Sequence, residues 1–310
     1  MDAWVIVNPA AGRGWVGRLS GAILKAARER GARAFLTEGP GHAADLARQA
    51  PGGSRVVAVG GDGTVHEVLA GVAGTDKVLG VVPIGSGNDF ARMLRLKKRP
   101  WPKALEHALF APSRAVDLGY VNGKPFGAFL GLGFDAMVAR KAFSAPPLLR
   151  GMPRYLYALA LVLKDLTLPL ARVEVDGKGV YEGPILLLSL MNAPTYGGGI
   201  PIAPMADPAD GVLHGILAGR FSRLGVLGIL PRLLLGRHLG HKEVRVYAGR
   251  RFAVRFDRAV EAHADGELLP PAASFQVELR PLGLLVVGEE EMPREGFGRI
   301  ILPCAAYPSG

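Results

Sequence analysis

The chain has 310 residues, 49% of them apolar, so its length allows two ordinary domains with sizeable buried cores. Lys and Arg outnumber Asp and Glu by 37 to 27, a balance that favours polyanionic partners such as nucleotides, nucleic acid or an anionic membrane surface. The single cysteine, Cys304, excludes an intramolecular disulfide and a cysteine-based metal site, and a reducing cytoplasmic setting is expected.

No export signal or membrane span is expected from the sequence. The first three residues lead directly into an apolar, strand-like segment, without the basic region and long apolar stretch of a secretory signal. The most apolar stretch, residues 224–235, contains Pro231 and Arg232. A spanning helix needs about 20 apolar residues, so we predict no transmembrane helix.

The first third of the chain alternates strand-like and helical patterns. The predicted strands are residues 3–7, 33–36, 55–59 and 78–84, and the predicted helices are residues 15–30, 42–50 and 65–72. This order is typical of βαβ units around a parallel sheet. Ligands in such sheets bind beyond the carboxyl ends of the strands, so the connections after those strands are the candidate site.

After residue 116 the pattern changes to β-rich segments with hairpin signals at residues 121–124 and 175–178. We predict an antiparallel sandwich interrupted by two helices. The strands are expected at residues 172–175, 185–191, 243–247, 252–256 and 274–280, and the helices at residues 155–166 and 224–239. The segment after Glu289 is expected to be loosely ordered.

The first glycine-rich loop, residues 8–14, follows the first strand and precedes a helix, an arrangement that can present backbone amides to a phosphate. Gly12, Gly14 and Gly17 also satisfy the G-x-G-x-x-G pattern of dinucleotide-binding folds, with Glu38 about 20 residues later. That pattern normally turns directly at the strand end, whereas here four residues intervene before Gly12. An ordinary surface turn is the third interpretation.

The second and third loops repeat the strand, glycine turn and helix arrangement. In residues 60–68, glycines would allow a phosphate chain to approach the backbone and Asp62 could ligate magnesium, while Thr64 would either cap the helix or bind a phosphate oxygen. In residues 83–92, Ser86 offers a hydroxyl, and Asp89 could share the metal with Asp62 or cap a helix. Three such loops at neighbouring strand ends predict one pocket.

These loops resemble, in order, the three nucleotide motifs of the diacylglycerol kinase catalytic family, in particular its soluble bacterial lipid-kinase branch. The likeness covers nearly the whole chain and continues through Asn192, the glycines at 197–199, Pro204, Asp210-Gly211, Leu213 and Asp265-Gly266-Glu267. It implies an amino-terminal α/β domain like those of phosphofructokinases and NAD kinases, followed by an antiparallel β-sandwich domain, with ATP and Mg²⁺ in the cleft between them. It also implies that the end of the chain returns to the first domain. The expected boundaries are therefore residues 1–116 completed by about 282–300, residues 117–281, and a tail at 301–310.

The resemblance also assigns residues. Glu267 is expected to be the proton acceptor, with Asp265 and Asp62 as further catalytic groups and Glu67 supporting the second loop. The expected nucleotide-binding residues are Asn8, Pro9, Ala10, Ala11, Gly12, Thr37, Gly60, Gly61, Asp62, Gly63, Thr64, Val65, His66, Glu67, Ser86, Asn88 and Asp89. A second, structural magnesium would be held by the Asp210 carboxylate and by main-chain oxygens near Asp207 and Val212. His214 departs from the family pattern there, and a neutral imidazole is a poor magnesium ligand.

The expected reaction is transfer of the γ-phosphate of ATP to the hydroxyl of diacylglycerol or a related membrane lipid, within phospholipid metabolism. Residues 221–239 are apolar with arginines around them, a pattern that suits either docking to a bilayer or a buried helix with basic ends. A cytoplasmic protein that attaches transiently to the inner face of the membrane is therefore expected, and a homodimer is compatible with this interpretation. No aromatic-interleaved basic motif indicates nucleic-acid binding.

Two other functions are compatible with the same motifs. An NAD kinase, or another kinase with a soluble substrate, would share the Gly-Gly-Asp-Gly loop and would phosphorylate NAD without lipid. A non-catalytic, membrane-associated regulatory protein could retain the nucleotide fold, and its function would then survive Asp62→Ala and Glu267→Gln.

Overall fold

The computed structural model describes residues 2–146, 148–149 and 152–289, with only the backbone of Met152, so the tail predicted after Glu289 lies outside the described residues. The first part of the described chain alternates strands and helices. In order, it contains β1 (Ala3–Val7), α1 (Trp15–Glu29), β2 (Arg33–Leu36), α2 (His42–Gln49), β3 (Arg55–Gly60), α3 (Asp62–Val72), β4 (Val78–Pro83), α4 (Asp89–Met93) and α5 (Trp101–Phe110).

The second part is mainly β-structure. It contains β5 (Ser113–Val121), β6 (Lys124–Phe126), β7 (Phe129–Gly133), α6 (Phe134–Phe143), α7 (Met152–Lys164), β8 (Leu170–Val175), β9 (Lys178–Pro184), β10 (Leu187–Met191), β11 (Leu213–Ala218), α8 (Arg223–Leu234), β12 (Val244–Gly249), β13 (Arg251–Ala264) and β14 (Glu267–Val287). Within the described residues, no helix combines the length and apolar character needed to cross a bilayer.

The parallel strands β4, β3, β1 and β2 lie side by side in that order. Their side chains alternate between two buried layers: Ile6 and Ala58 face α2 and α3, while Val57 and Val59 face α1 and α5. Because both faces are covered by helices, each central strand is continuously apolar, as its sequence predicts. All three glycine-rich loops leave this sheet at the carboxyl ends of β1, β3 and β4.

The second part folds around its own apolar core, which includes Phe126, Phe252 and Phe275. Its strands pair antiparallel, and the 21-residue strand β14 joins them to the first sheet. The first half of β14 pairs antiparallel with β13, its second half pairs antiparallel with β5, and Leu285 and Val286 also pair in parallel with β4. The turn between β13 and β14 lies at the junction of the two parts, because Asp265 contacts His66 and Glu267 lies against Gly63, both in α3.

Several element boundaries differ from those predicted. Helix α3 begins at Asp62 rather than at residue 65, so the acid of the second loop lies in the first helical turn. The helix predicted at residues 224–239 ends at Leu234 because Gly236 adopts a left-handed conformation (φ +66°) that stops it, and a short 3₁₀ turn follows at His238–Gly240. Helices α5 and α6 were not predicted.

Candidate active site

The three loops and the β13–β14 turn enclose a cleft of about 870 Å³. Its lining includes residues from all four segments together with the start of α5. The predicted site residues in the lining are Asn8, Ala11, Gly12, Gly61, Asp62, Gly63, Thr64, Glu67, Ser86 and Glu267. Residues far apart in the sequence are thus brought to one place, as the position of the loops at neighbouring strand ends predicts.

Direct contacts hold the loops together. Asn8 Nδ2 donates a hydrogen bond to Thr64 Oγ1 at 3.0 Å, and Asn8 Oδ1 accepts one from the backbone N–H of Ala10 at 3.0 Å. The second and third loops touch at Gly61 and Gly85, where a Cβ on Gly85 would lie 2.6 Å from the Cα of Gly61. Any side chain at Gly85 would separate the two loops, so the close approach requires glycine.

Two carboxylates converge beside Gly87. A Cβ on this glycine would lie 2.8 Å from Asp62 Oδ2 and 3.6 Å from Asp89 Oδ2. Asp62 Oδ1 accepts a hydrogen bond from the N–H of Phe90, and Asp89 accepts one from the N–H of Gly198, at 3.3 and 3.0 Å respectively. The loops thus hold both acids in fixed orientations.

The environment of the two acids opposes their ionisation. Burial raises the pKa of Asp62, and burial together with the negative charge of Asp62 raises the pKa of Asp89 to about 6. A divalent cation between the carboxylates would relieve this repulsion, and paired carboxylates suit the oxygen preference of magnesium. The residues therefore fit a magnesium ion bound together with a phosphate chain.

Glu267 begins β14 and extends over the second loop. A Cβ on Gly63 would lie 2.6 Å from Glu267 Oε1, so this carboxylate rests against the backbone at the start of α3. The amino terminus of α3 lines the same cleft, and the free N–H groups of such a terminus can bind an anion. A carboxylate and a helix amino terminus thus border the same space.

Gly63→Ala is expected to lower kcat by roughly tenfold to a hundredfold, because the new methyl group displaces the Glu267 carboxylate from its position. The fold should tolerate the change, since Gly63 is helical and alanine stabilises a helix by about 0.5–1 kcal/mol relative to glycine. Steady-state kinetics and thermal melting measure the two effects. Gly21→Ala, on the exposed surface of α1, is the matched control and should stabilise without loss of activity. Unchanged kcat in Gly63→Ala would contradict this placement of Glu267.

Asp265 is buried and saturated with hydrogen bonds. Its carboxylate accepts from the backbone N–H groups of Gly127, Ala128 and Phe129 at 2.7, 2.8 and 3.1 Å, and lies 3.2 Å from His66 Nδ1. Burial opposes charge on both members of this pair, yet their mutual attraction prevails: the pKa of Asp265 is lowered and that of His66 is raised. Asp265 thereby ties the turn that carries Glu267 to α3, which makes it a positioning residue.

The His66–Asp265 pair predicts a pH-dependent contribution to stability. The pKa of His66 in the folded protein is raised above its ordinary 6.5. Its contribution to the free energy of unfolding is therefore complete below pH 6.5 and is lost as the pH rises through the pKa of the folded state. The pKa of Asp265 lies below its ordinary 3.8, so its contribution is present above pH 3.8. His66→Gln should therefore destabilise the protein most between these limits, by about 2 kcal/mol.

Denaturant unfolding of wild type and His66→Gln across this pH range measures the difference. His42→Gln, at the half-buried first residue of α2 where the imidazole accepts a hydrogen bond from the backbone N–H of Glu38, is the control and should show no such maximum. A difference that grows steadily above pH 8 would contradict an ion pair.

Comparisons with known proteins agree with this arrangement. Residues 2–121 match the diacylglycerol kinase catalytic domain, and residues 128–288 match the YegS C-terminal NAD kinase β-sandwich-like domain. A diacylglycerol kinase of Mycobacterium tuberculosis is 30% identical over 300 residues, which cover 94% of this chain and 95% of that protein. The chain belongs to the diacylglycerol kinase family.

Two solved structures have a fold similar to that of this chain. A diacylglycerol kinase from Bacillus anthracis superposes with a TM-score of 0.70 at 20% identity, covering 93% of this chain and 97% of the other. An NAD kinase from Archaeoglobus fulgidus in complex with ATP superposes with a TM-score of 0.57 at 13% identity, covering 94% of each chain. The predicted fold class, an α/β domain like that of NAD kinases followed by a β-sandwich domain, is confirmed. The domain boundaries stay predictions.

Some residues that the family resemblance assigned to the nucleotide do not line the cleft. Asn88 uses its side chain within its own loop, where Oδ1 accepts from the N–H of Gly85 at 2.8 Å and Nδ2 donates to the carbonyl of Gly85 at 2.9 Å. Thr37 is buried at the end of β2. The cleft lining also omits Pro9, Ala10, Gly60, Val65, His66 and Asp89. Their direct contact with nucleotide stays a prediction.

The cleft contains residues that sequence reasoning did not single out. Trp15 at the start of α1 and Trp101 at the start of α5 both line it, and Arg13 adds positive charge, whereas the charge of Arg99 is paired with Glu289. A signal was available for Trp15, since it stands where the first loop enters a predicted helix, but not for Trp101, whose helix was not predicted. Aromatic and cationic side chains are the groups expected beside a base and a triphosphate.

The structural magnesium site predicted at Asp207, Asp210 and Val212 stays a prediction. The Asp210 carboxylate accepts from the N–H of Val212 at 3.1 Å and lies 2.9 Å from His214 Nε2. Arg250 Nε donates to the carbonyl of Gly211 at 3.1 Å, so a guanidinium also lies beside this segment. Within the described residues, no cluster of three or more His, Cys, Asp or Glu suited to a metal is present.

A polar cluster that sequence reasoning missed lies in the second part of the chain. Asp135, at the start of α6, accepts a hydrogen bond from the Tyr196 hydroxyl at 3.2 Å and lies 3.1 Å from His263 Nε2. Burial and the charge of Asp135 raise the pKa of Tyr196 well above its ordinary value. The cluster adjoins the active site, because His263 lies two residues before Asp265 on the same chain segment. Its members come from three separate elements, so the sequence gives no spacing that could reveal it.

Proposed function

We propose that this protein is an ATP-dependent lipid kinase, which transfers the γ-phosphate of ATP to the hydroxyl of diacylglycerol or a related membrane lipid. The observation that carries the proposal is the contact between Glu267 and the backbone of Gly63. It brings a carboxylate that can accept a proton to the amino terminus of α3, whose first residue Asp62 lines the same cleft and converges with Asp89 beside Gly87. Phosphoryl transfer requires positioning and charge neutralisation, and this cleft offers groups for both.

The nucleotide would lie with its triphosphate against the glycine loops. The amides at the start of α3 and the guanidinium of Arg13 would bind phosphate oxygens, while Trp15 and Trp101 offer flat surfaces to the base. Asp62 and Asp89 would hold magnesium, which when bound neutralises charge on the transferring phosphate. The loop contacts fix these groups before the nucleotide enters, so little reorganisation accompanies binding.

Glu267 would orient the acceptor hydroxyl and take its proton as the phosphate is transferred. Asp265 keeps it in place through the hydrogen bonds to residues 127–129 and to His66. The acceptor would approach from the side of the second domain, since the first-domain loops surround the phosphates. A lipid acceptor implies transient attachment to the inner face of the membrane.

The test is phosphorylation of a panel of acceptors by the purified protein with labelled ATP and magnesium. The panel contains diacylglycerol, monoacylglycerol, ceramide, a sphingoid base and a polyprenol in mixed micelles, with NAD as a soluble acceptor. A labelled phospholipid that Glu267→Gln fails to produce is the expected result. Product from NAD alone would favour a soluble-substrate kinase, and no product from any acceptor would favour a non-catalytic role.

A further inference from the structure

Two helices of the second part expose apolar faces to solvent. In α7, the exposed side chains before Lys164 are Pro153, Tyr155, Leu156, Tyr157, Ala160 and Leu161. Tyr155 and Leu156 are each 54% exposed. In α8, Leu224 is 80% and Leu235, immediately after the helix, is 69% exposed. Helices that face water normally carry polar side chains on the outer face, so these two faces indicate a binding surface.

The two helices cover the same apolar cluster. Val162 and Leu163 of α7 pack in it with Val226 and Ile229 of α8 and with Phe134 of α6. The inner faces of both helices are buried in this cluster, so the exposed side chains on the outer faces are not needed to form the core. The outer faces are therefore apolar surfaces that the core does not require, on two helices that pack over one shared cluster.

The charges on these helices have one sign. The sequence of α7 contains Arg154 and Lys164, and that of α8 contains Arg223 and Arg232. Neither helix contains Asp or Glu. An apolar surface bordered by basic residues suits an anionic lipid bilayer, where leucine and tyrosine enter the headgroup region and Lys and Arg meet lipid phosphates. A second copy of the chain would bring like charges together on this surface.

We propose that the outer faces of α7 and α8 are the surface by which this protein lies on an anionic bilayer. The proposal rests on the proposed function in that the lipid acceptor comes from that bilayer. Helix α6 links the surface to the active site: Phe134 packs in the cluster beneath α7 and α8, while the adjacent Asp135 belongs to the polar cluster with Tyr196 and His263. A lipid leaving the bilayer beside α6 would thus reach polar groups next to Glu267.

Sedimentation with vesicles tests the surface without any catalysis. The full-length protein is mixed with vesicles of phosphatidylcholine alone or with 30% phosphatidylglycerol, a fraction chosen as roughly that of an anionic leaflet. Wild type is expected to bind the anionic vesicles more tightly. Leu156→Glu and Leu224→Glu should each weaken binding by about tenfold, since each removes one buried leucine from the bilayer. The double variant should weaken it by about a hundredfold.

Phe110→Glu is the matched control, because it places the same charge at an exposed apolar side chain of the first domain, 62% exposed on α5. It should bind vesicles as wild type does. Unchanged melting temperatures confirm that the variants fold, as expected for exposed positions. Equal vesicle binding by wild type and the double variant would overturn the proposal. A wild-type dimer that Leu156→Glu dissociates would overturn it in favour of a second copy of the chain.

Two further measurements separate this proposal from the proposed function. Glu267→Gln should bind anionic vesicles as wild type does, because Glu267 lies outside the surface. The double variant should phosphorylate a short-chain diacylglycerol dissolved as monomers at the wild-type rate and lose activity only on vesicles. If no lipid is phosphorylated while vesicle binding follows the expected pattern, the proposed function fails and the docking surface stands.

Discussion

Glu267→Gln is expected to lower kcat for phosphoryl transfer by about a thousandfold, within the range that general-base catalysis contributes. Glutamine keeps the size of the side chain and loses the capacity to accept a proton. The contact with Gly63 places this group against the phosphate loop without making it part of the loop, so nucleotide binding should survive. Steady-state kinetics and the rise in melting temperature on addition of ATP measure the two properties separately.

The matched control is Glu278→Gln, which makes the same change further along β14, where the carboxylate pairs with Arg280 on an exposed face outside the cleft. It should leave kcat unchanged. A loss of less than about tenfold in Glu267→Gln would mean that another group accepts the proton. Loss of ATP-dependent stabilisation would mean instead that Glu267 serves the nucleotide.

Asp62→Asn is expected to lower activity by about a hundredfold or more and to raise the magnesium concentration required for half-maximal rate. The substitution removes one of the two charges that converge beside Gly87. It also removes the repulsion that helps to raise the pKa of Asp89, so that pKa should fall from about 6 toward its ordinary value. Initial rates over a magnesium series measure the first effect.

Melting temperature supplies a second signature of this substitution. Because burial opposes the charge of Asp62, its neutral replacement should leave the fold as stable as wild type or more so. Asp45→Asn, at an exposed position of α2, is the control for the loss of one negative charge. An unchanged magnesium requirement in Asp62→Asn would contradict a cation between Asp62 and Asp89.

The parallel sheet could be predicted from the sequence because its physical cause is local. Consecutive residues such as Val57 and Ala58, which face opposite sides of the sheet, are both apolar, and glycines follow the strand. A few consecutive residues are therefore enough to predict both the strand and the loop. The start of α3 was placed three residues late, since glycine and aspartate read as a turn even though they occupy the first helical turn here. Helix α6 was missed because it follows β7 without an intervening loop.

The site was predictable only as far as its local motifs extend. The three glycine loops were recognised one by one, and their position at strand ends implied a common pocket. The contact between Gly63 and Glu267 joins residues 204 positions apart, and the Asp265 carboxylate binds amides 136 or more positions away, so no spacing reveals either. The sequence alone does not decide whether α8 docks to a bilayer or is buried, because periodicity does not show which face of the helix the core covers.

A crystal structure with magnesium and a non-hydrolysable ATP analogue would show directly whether Glu267 faces the γ-phosphate. We expect the triphosphate along the glycine loops, with Glu267 near enough to the γ-phosphate for an acceptor hydroxyl to fit between them. A distance of about 4–6 Å between the Glu267 carboxylate and the γ-phosphorus would let the acceptor hydroxyl donate a hydrogen bond to the carboxylate while its oxygen attacks the phosphorus. A triphosphate whose terminal phosphate points away from Glu267 and the β13–β14 turn would contradict it.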